Sequence, residues 1–274
     1  QLNHPIKIAL VSSFDFAVNG GVNDHIKCLA ERFVSWGHSV KIIAPTSDPD
    51  REEGTNFIPM GRPIPLPSGG SVARVSISIW LKPQIKRLIR EHCFDIVHLH
   101  EPFSGAVTLN MLNHSKSVNV ATFHSYEGTQ LYRFGGRFAM PYYKKLHGKI
   151  AVSEPARDFI SRHFPGKYEV IPNGINLDLF SETTAPFTHF RDGMTNLMFL
   201  GRLEKRKGLK YLLGAYSQLK WEWPNLRLLI IGHGKPDEDS YRIISERNLT
   251  DVEFMGEVSA IDKVRYYRTA DIYC

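Results

Sequence analysis

Short apolar segments alternate with helical patterns along almost the whole chain, and this order constrains the fold more than any other feature. After the first segment, apolar residues from Val22 to Val34 mark one face of a helix that Gly37 stops. The strand-like segments are IKIALVSS, HSVKIIAP, FDIVHLH, VNVATFH, KIAVS, YEVIPNG, NLMFL, LRLLIIG, VEFMG and DIYC. Short apolar strands separated by helices are typical of a parallel sheet covered on both faces. The sequence therefore predicts a doubly wound α/β fold.

The alternating pattern pauses once. Residues 181–193, SETTAPFTHFRDG, are polar and turn-rich and follow neither the helical nor the strand period. We interpret this segment as the start of a second unit, since 274 residues are enough for two ordinary domains. The prediction is two Rossmann-like, doubly wound parallel-sheet domains, 1–180 and 181–274, that face a crevice, the second of them incomplete. In such sheets ligands bind beyond the carboxyl ends of the strands.

Composition and charge disfavour several classes of protein. Hydrophobic residues make up 42% of the chain and charged residues 23%, as in soluble globular proteins, and no apolar run approaches the ~18 residues of a membrane span. No signal peptide is visible, and three cysteines without a C-x-x-C spacing favour reduced thiols. A net charge of +6 suits a phosphate-bearing or anionic partner. The missing G-x-G-x-x-G motif disfavours a dehydrogenase, and the lack of a basic stripe with exposed aromatics disfavours nucleic-acid binding.

The segment GRLEKRKG, residues 201–208, places four cations and one acid between a buried strand and the start of a helix. A helix amino terminus disfavours cations, by up to ~1 kcal/mol each at exposed sites. A bound anion would offset that repulsion, because Arg202 offers a rigid fork, Lys207 a point charge and the backbone its free N–H groups. The segment therefore predicts a diphosphate site that stabilises a leaving group. The alternative is a solvated charged loop.

Glycines and histidines follow several strands of the first unit. Gly20 and Gly21 lie directly before the first helix, where bare backbone could approach a phosphate or form a tight turn. His98 and His100 alternate on one strand face, but no third ligand stands at a spacing diagnostic of zinc, so no metal site is predicted. His124 ends another strand, where an active-site role and a satisfied position at the edge of the core both stay open.

Eight segments, in this order and spacing, match a known family: NGGVNDH, PIPLPSGGSVAR, DIVHLHEP, ATFHS, IAVSEPAR, VIPNGINLDLF, FLGRLEKRKG and ADIYC. The chain resembles the retaining glycosyltransferases of group 1 with two Rossmann-like domains, the GT-B architecture. It is most similar to their phosphatidylinositol mannosyltransferase branch, and the resemblance extends through nearly all 274 residues. Each segment alone is weak evidence for the family, whereas the order and spacing of all eight are specific to it.

The resemblance implies a role for particular residues of this sequence. A nucleotide-sugar donor is bound mainly by the second domain, and an acceptor is held by the first. The implied donor-binding residues are Gly20, Gly21, Arg202, Glu204, Arg206, Lys207, Val258 and Lys263. The implied catalytic residues are His124, which faces the transferred sugar, and Arg202 and Lys207, which contact the diphosphate. The acceptor-binding residues are Asn23 and Arg74.

The implied reaction transfers a sugar, mannose in this branch, from a donor such as GDP-mannose with retention of configuration. The leaving phosphate helps to deprotonate the incoming hydroxyl. No cofactor is required because the cations take the place of a metal, and magnesium at most stimulates. Ser259 and Ala260 stand where the branch has acidic residues, and Phe14 where it has a tyrosine near the acceptor. Open alternatives are a UDP-sugar with a soluble acceptor, a sugar-nucleotide epimerase of this architecture, and a nucleotide-binding module without turnover.

Residues 72–92, VARVSISIWLKPQIKRLIREH, combine apolar with basic side chains. The apolar ones include Ile77, Ile79, Trp80 and Leu81, and the basic ones are Arg74, Lys82, Lys86, Arg87 and Arg90. A basic amphipathic segment can lie on an anionic membrane surface. The alternative is an ordinary helix that packs Ile85, Leu88 and Ile89 on the sheet. Together with the resemblance, the segment predicts a cytoplasmic protein, peripheral on the inner face of the cell membrane, that acts on a lipid.

The final segment, RYYRTADIYC, leads into a strand at the end of the chain. In the family that the sequence resembles, further residues include two glutamates that meet the sugar and the ribose, and a final helix that returns to the first domain. We therefore expect residues 1–274 to be part of a longer enzyme, to keep the diphosphate cluster and to show little or no turnover alone.

Overall fold

The structure is a computed structural model that describes residues 4–50, 56–68, 71–125, 139–180 and 184–274. The chain divides into two compact units, unit 1 with residues 1–175 and unit 2 with residues 176–274. The predicted domain boundary between residues 180 and 181 adjoins residues 181–183, which lie outside the described part. Among the described helices, none has the length and apolar character needed to span a membrane.

Unit 1 is built on a parallel sheet. Its strands are β1 (Lys7–Ser12), β2 (Ser39–Ala44), β3 (Phe57–Pro59), β6 (Ile96–His100), β7 (Val118–Phe123), β8 (Gly148–Ala151) and β9 (Glu169–Val170). Its longer helices are α1 (Gly21–Ser35), α2 (Lys82–His92), α3 (Ala106–His114) and α4 (Glu154–His163). Within the described residues, the strand order is β3-β2-β1-β6-β7-β8-β9. The order reverses between β1 and β6, so the switch point where such sheets bind ligands lies at the carboxyl ends of these two strands.

The period of two along β1 divides its side chains between two cores. Ile8 and Leu10 pack in a cluster with residues of α1, whereas Ala9 and Val11 pack in a second cluster with residues of α2 and α3. Fully burying side chains of this size contributes ~1.5–3 kcal/mol each. Helices therefore cover both faces of the sheet, and the predicted α/β fold with parallel sheets is confirmed.

A two-stranded antiparallel hairpin occupies the Pro/Gly-rich part of unit 1, where the sequence pattern indicates no strand. Its strands are β4 (Ile64–Ser68) and β5 (Ser71–Val75). The hairpin is attached to the loop after β1, because Phe14 forms an isolated antiparallel bridge with Val75 and the Asp15 N–H donates to the Arg74 carbonyl at 2.8 Å. A 3-10 turn (Ile79–Leu81) then leads into α2.

Unit 2 repeats the architecture on a smaller scale. Its strands are β10 (Thr195–Leu200), β11 (Leu226–Ile231), β12 (Val252–Gly256) and β13 (Ile272–Tyr273), and its longer helices are α5 (Leu209–Glu222), α6 (Glu238–Glu246) and α7 (Ala260–Thr269). The described strands form a parallel sheet in the order β12-β11-β10-β13, with separate apolar clusters on its two faces. The order reverses beside β10, so the loop after β10 lies at a switch point.

Candidate active site

The segment between β10 and α5 forms one tight turn at the amino-terminal end of a helix. Lys205–Lys207 form a 3-10 turn, Gly208 follows with a φ of 75°, and α5 begins at Leu209. Residues with a side chain rarely adopt that φ, so glycine is needed at this turn. The structure therefore places the predicted cations beside the first free N–H groups of α5.

Glu204 organises the cation cluster. Its Oε1 lies 3.2 Å from Nη1 of Arg202, and its Oε2 accepts a hydrogen bond from Nε of Arg206 at 3.0 Å. The Arg202 and Arg206 side chains remain 37% and 38% exposed. Lys207 has no ion-pair partner among the residues that the structure describes, and its backbone N–H donates to the Glu204 carbonyl at 2.8 Å. Because Arg202 and Arg206 share one carboxylate and Lys207 pairs with none of the described residues, the surface keeps the positive charge that a diphosphate requires.

The loop after β11 packs directly against this turn. A Cβ at Gly232 would lie 1.9 Å from the Gly201 carbonyl oxygen, so only glycine permits the approach. The Leu203 N–H donates to the His233 carbonyl at 2.9 Å, and His233 Nδ1 lies 3.4 Å from Oε2 of Glu257 at the end of β12. The ends of three strands thus meet at one edge. Sequence reasoning missed His233 and Glu257, although the G-x-G of GHG is the signal of the close approach.

The segment after β12 supplies the other residues predicted to bind the donor. Val258 is partly buried beside the apolar cluster that contains Phe190, and Lys263 lies in the first turn of α7. Ser259 caps α7, because its Oγ accepts the Asp262 N–H at 3.1 Å. Serine is among the residues that helix caps favour. Ser259, which departs from the acidic pattern, thus forms the cap of α7.

The glycine pair of unit 1 lies at the start of α1. Gly20 is extended, with a φ of −179° that any residue adopts, and α1 begins at Gly21. A Cβ at either position would meet no described atom within 4 Å. Neither glycine is thus required by packing against described residues, and the role of the pair in the approach of a ligand stays a prediction.

The predicted acceptor residues, Asn23 and Arg74, both hold the loop after β1. Asn23 Nδ2 donates to the carbonyls of Asp15 and Val18 at 2.8 and 2.9 Å, and the Arg74 carbonyl accepts the Asp15 N–H. The Arg74 side chain is exposed. Asp15 was not predicted from sequence. It is 2% exposed, its Oδ1 accepts the N–H of Ser47 at 2.9 Å, and its buried Oδ2 has no hydrogen-bond partner within the described part of the chain.

His124 belongs to a cluster of four histidines on the α1 side of the sheet. His100 Nδ1 and His124 Nε2 are 3.1 Å apart, and the His98 and His100 rings stack with their centroids 4.5 Å apart. The His25 ring, from the first turns of α1, lies 5.6 Å from the His100 ring and 5.7 Å from the His124 ring. The start of α1 and the end of β7 are therefore brought together. Sequence reasoning missed His25.

Burial keeps these imidazoles neutral. Loss of solvation, together with repulsion from His25, lowers the pKa of His98 to about 4. Loss of solvation, together with repulsion from His25 and His98, lowers the pKa of His124 to about 3. The same causes lower the pKa of His100 well below its usual value. A neutral imidazole has one donor and one acceptor nitrogen, which suits a sugar hydroxyl better than an anion.

The pair His100–His124 leaves hydrogen-bonding capacity unused. His100 Nε2 and His124 Nδ1 are buried and have no hydrogen-bond partner among the described residues. Whichever ring donates across the 3.1 Å contact, one of these two nitrogens carries a hydrogen and the other a lone pair. The pair can therefore still offer one donor and one acceptor. Among the described residues, no group of three or more His, Cys, Asp or Glu side chains is arranged to hold a metal ion.

Comparisons with known proteins identify the family of both parts of the chain. Residues 19–179 match the family model Glycosyltransferase Family 4, and residues 182–274 match Glycosyl transferases group 1. The chain is 35% identical to a phosphatidyl-myo-inositol mannosyltransferase of Mycobacterium tuberculosis over 98% of its own length and 71% of that protein's.

Solved structures share the fold. Sucrose-phosphate synthase from Thermosynechococcus elongatus aligns with a TM-score of 0.68 at 21% identity, covering 98% of this chain and 74% of that one. Anabaena HepE in complex with UDP-glucose aligns with a TM-score of 0.68 at 16% identity, covering 98% and 73%. These structures show the GT-B fold, and the family models, which cover both units, show that the chain is a glycosyltransferase that belongs to Glycosyltransferase Family 4 and Glycosyl transferases group 1.

Proposed function

We propose that the chain transfers a sugar, in the first place mannose, from a nucleotide-sugar donor to a phosphatidylinositol-type lipid, with retention of configuration. The relative from Mycobacterium tuberculosis supports the sugar and the acceptor, because its name specifies mannosyl transfer to phosphatidyl-myo-inositol. GDP-mannose is the donor proposed for this reaction. The observation that carries the proposal is the cation cluster around Glu204 at the start of α5.

The cluster accounts for donor binding and for departure of the nucleotide. Arg202 and Lys207 contact the diphosphate, and Glu204 holds Arg202 and Arg206 in place at 3.2 and 3.0 Å. As the bond between the anomeric carbon and the diphosphate breaks, negative charge grows on the leaving oxygen, and fixed cations stabilise it. The reaction then needs no resident metal, and magnesium acts at most as a stimulant.

The acceptor hydroxyl attacks the face of the sugar from which the diphosphate leaves. A leaving phosphate oxygen takes the hydroxyl proton, so the new glycosidic bond forms as the old bond breaks and the charges balance. His124 faces the transferred sugar as a neutral hydrogen-bonding group, since its pKa is about 3. The exposed backbone at Gly20 and Gly21 accommodates the donor, and Val258 and Lys263 contact its base.

An exposed patch before α2 supports action at a membrane. Ile79 and Trp80 are 75% and 82% exposed, and α2 adds the cations Lys82, Lys86, Arg87 and Arg90. The helix itself packs on the sheet, because Ile85 and Leu88 are buried. The apolar contact with lipid would therefore come from the 3-10 turn and the electrostatic contact from α2. We propose that the protein binds the anionic inner face of the cell membrane in this way.

The test combines donor binding with product analysis. Thermal shifts with GDP-, UDP- and ADP-sugars identify the donor, because a ligand at a hundred times its dissociation constant stabilises by ~2.7 kcal/mol. Transfer of labelled mannose from GDP-mannose to lipid is then measured in phosphatidylinositol vesicles, with this chain and with a chain extended at its carboxyl end. Labelled lipid supports the proposal. Stabilisation by UDP-sugars alone, product formed only with a soluble acceptor, or an epimerised donor without acceptor would each overturn it in favour of a named alternative.

A further inference from the structure

Glu101 is a buried acidic residue at the switch point of the first sheet. It directly follows β6, is 1% exposed and has a φ of 53°. The left-handed region is unfavourable for a residue with a side chain. Such backbone strain persists only where the surrounding structure enforces it, and it clusters at functional sites.

Three neighbouring elements enforce this backbone conformation. The Glu101 N–H donates to the Thr122 carbonyl in β7 at 3.0 Å. Its carbonyl accepts from Ser13 Oγ, after β1, at 2.6 Å, and Ser13 Oγ lies 2.8 Å from Thr108 Oγ1 in α3. Glu101 therefore ties together the carboxyl ends of β1, β6 and β7, where a ligand is expected to bind.

The carboxylate is directed at the residue that follows β7. Its Oε1 accepts the backbone N–H of His124 at 2.6 Å and that of Ser125 at 2.7 Å. Two charge-assisted hydrogen bonds to one oxygen are strong and directional. His124 is thus held on its backbone side by Glu101 and on its ring side by His100, 3.1 Å away.

We propose that Glu101 is a positioning residue for sugar transfer: its carboxylate fixes the main chain at His124 and Ser125 and thereby aims the His124 imidazole at the transferred sugar. The inference rests on the proposed role of His124. Glu101 acts through two backbone N–H groups and does not itself touch the substrate. For this role, the distance to which the side chain extends its oxygen (its reach) matters more than the charge of the carboxylate.

Two substitutions separate reach from charge. Glu101→Gln keeps the side-chain length and a carbonyl oxygen that can accept both hydrogen bonds, whereas Glu101→Asp keeps the charge but is one methylene shorter. We expect the turnover number of Glu101→Asp to fall roughly 10- to 100-fold, the cost of a misplaced group, and that of Glu101→Gln to fall only a few-fold. The KM for the donor should stay nearly constant in both, because the proposed contacts with the nucleotide lie mainly in unit 2. Glu169→Gln, an exposed change elsewhere in unit 1, is the matched control.

Nuclear magnetic resonance of the chain without substrate provides the second measurement. The His124 and Ser125 amide protons should be shifted downfield and protected from exchange in the unsubstituted protein and in Glu101→Gln. In Glu101→Asp both effects should be lost, and the His124 imidazole signals should move. Rates are measured with whichever form of the chain shows transfer.

Each outcome decides the proposal. The proposal is supported if Glu101→Gln has a higher turnover number than Glu101→Asp and if the amide signals are kept in the first variant and lost in the second. The reverse order would mean that charge matters more than reach, and the proposal would be wrong. Altered amide signals with unchanged turnover would reduce Glu101 to a structural role. If no form transfers sugar, the proposed function fails, whereas the amide and imidazole signals still decide whether Glu101 positions His124.

Discussion

Replacement of Lys207 by alanine tests the cation cluster directly. Lys207 is exposed, ends the 3-10 turn and has no ion-pair partner among the described residues, so its removal leaves no unpaired carboxylate behind. A charge-assisted hydrogen bond to a phosphate contributes ~1.5–3 kcal/mol. We therefore expect the affinity for the nucleotide to fall about 10- to 150-fold in calorimetry.

The fold should tolerate this change. An exposed substitution usually alters the free energy of unfolding by less than ~0.5 kcal/mol. Removing a cation from the start of α5 should even relieve repulsion by the helix dipole, which is worth ~0.3–1 kcal/mol at low salt. The melting temperature of the ligand-free protein should therefore stay constant or rise slightly, while its stabilisation by nucleotide shrinks.

Lys205→Ala is the matched control, since it removes the same charge from the first position of the same turn. If proximity alone mattered, both variants would weaken binding equally. A loss confined to Lys207 indicates direct contact with the diphosphate. Unchanged nucleotide affinity of Lys207→Ala at low salt would refute the assignment of this cluster, because an exposed cation that contacts a phosphate cannot be removed without cost.

Three further predictions concern unit 1. Replacing four cations by alanine should abolish the preference for anionic over neutral vesicles in sedimentation, because each cation contributes ~1 kcal/mol to binding at an anionic surface; the four are Lys82, Lys86, Arg87 and Arg90. Added salt should weaken the binding of the unsubstituted protein to anionic vesicles. Equal binding of the unsubstituted protein to both kinds of vesicle would contradict this prediction. Trp80→Ser should instead weaken binding to both kinds of vesicle. The pKa of His98 is about 4 in the folded protein, below its ordinary value near 6.5, so the unfolded chain binds more protons and the free energy of unfolding should fall as pH decreases from about 6.5 to 4. The loss from His98 is on the order of 3 kcal/mol. In urea unfolding His98→Gln should therefore flatten the pH dependence, and an unchanged slope would show that folding does not shift the pKa of His98.

Much of the fold follows from the sequence alone, because hydrophobic periodicity is local. Alternate residues of β1 divide between two cores, and the segment NLMFL reads as a buried strand before any contact is known. The cation cluster is also readable, since Arg202, Glu204 and Lys207 lie within six residues, between a strand and the start of a helix. The hairpin β4–β5 is not readable in this way, because prolines and glycines hide its alternation and its antiparallel pairing joins only residues 64–75.

Only the tertiary structure brings together groups that lie far apart in the chain. His25 and His124 are 99 positions apart in sequence, yet their rings lie 5.7 Å apart, because the first turns of α1 lie over the carboxyl ends of β6 and β7. Glu101 reaches the His124 backbone only because β6 and β7 are parallel neighbours whose carboxyl ends coincide. A sequence pattern records which residues are apolar and at what period, whereas strand order decides which polar residues meet at the edge of the sheet. The burial of the histidines, which lowers their pKa values, results from this packing of distant residues, so no single segment of the sequence indicates it.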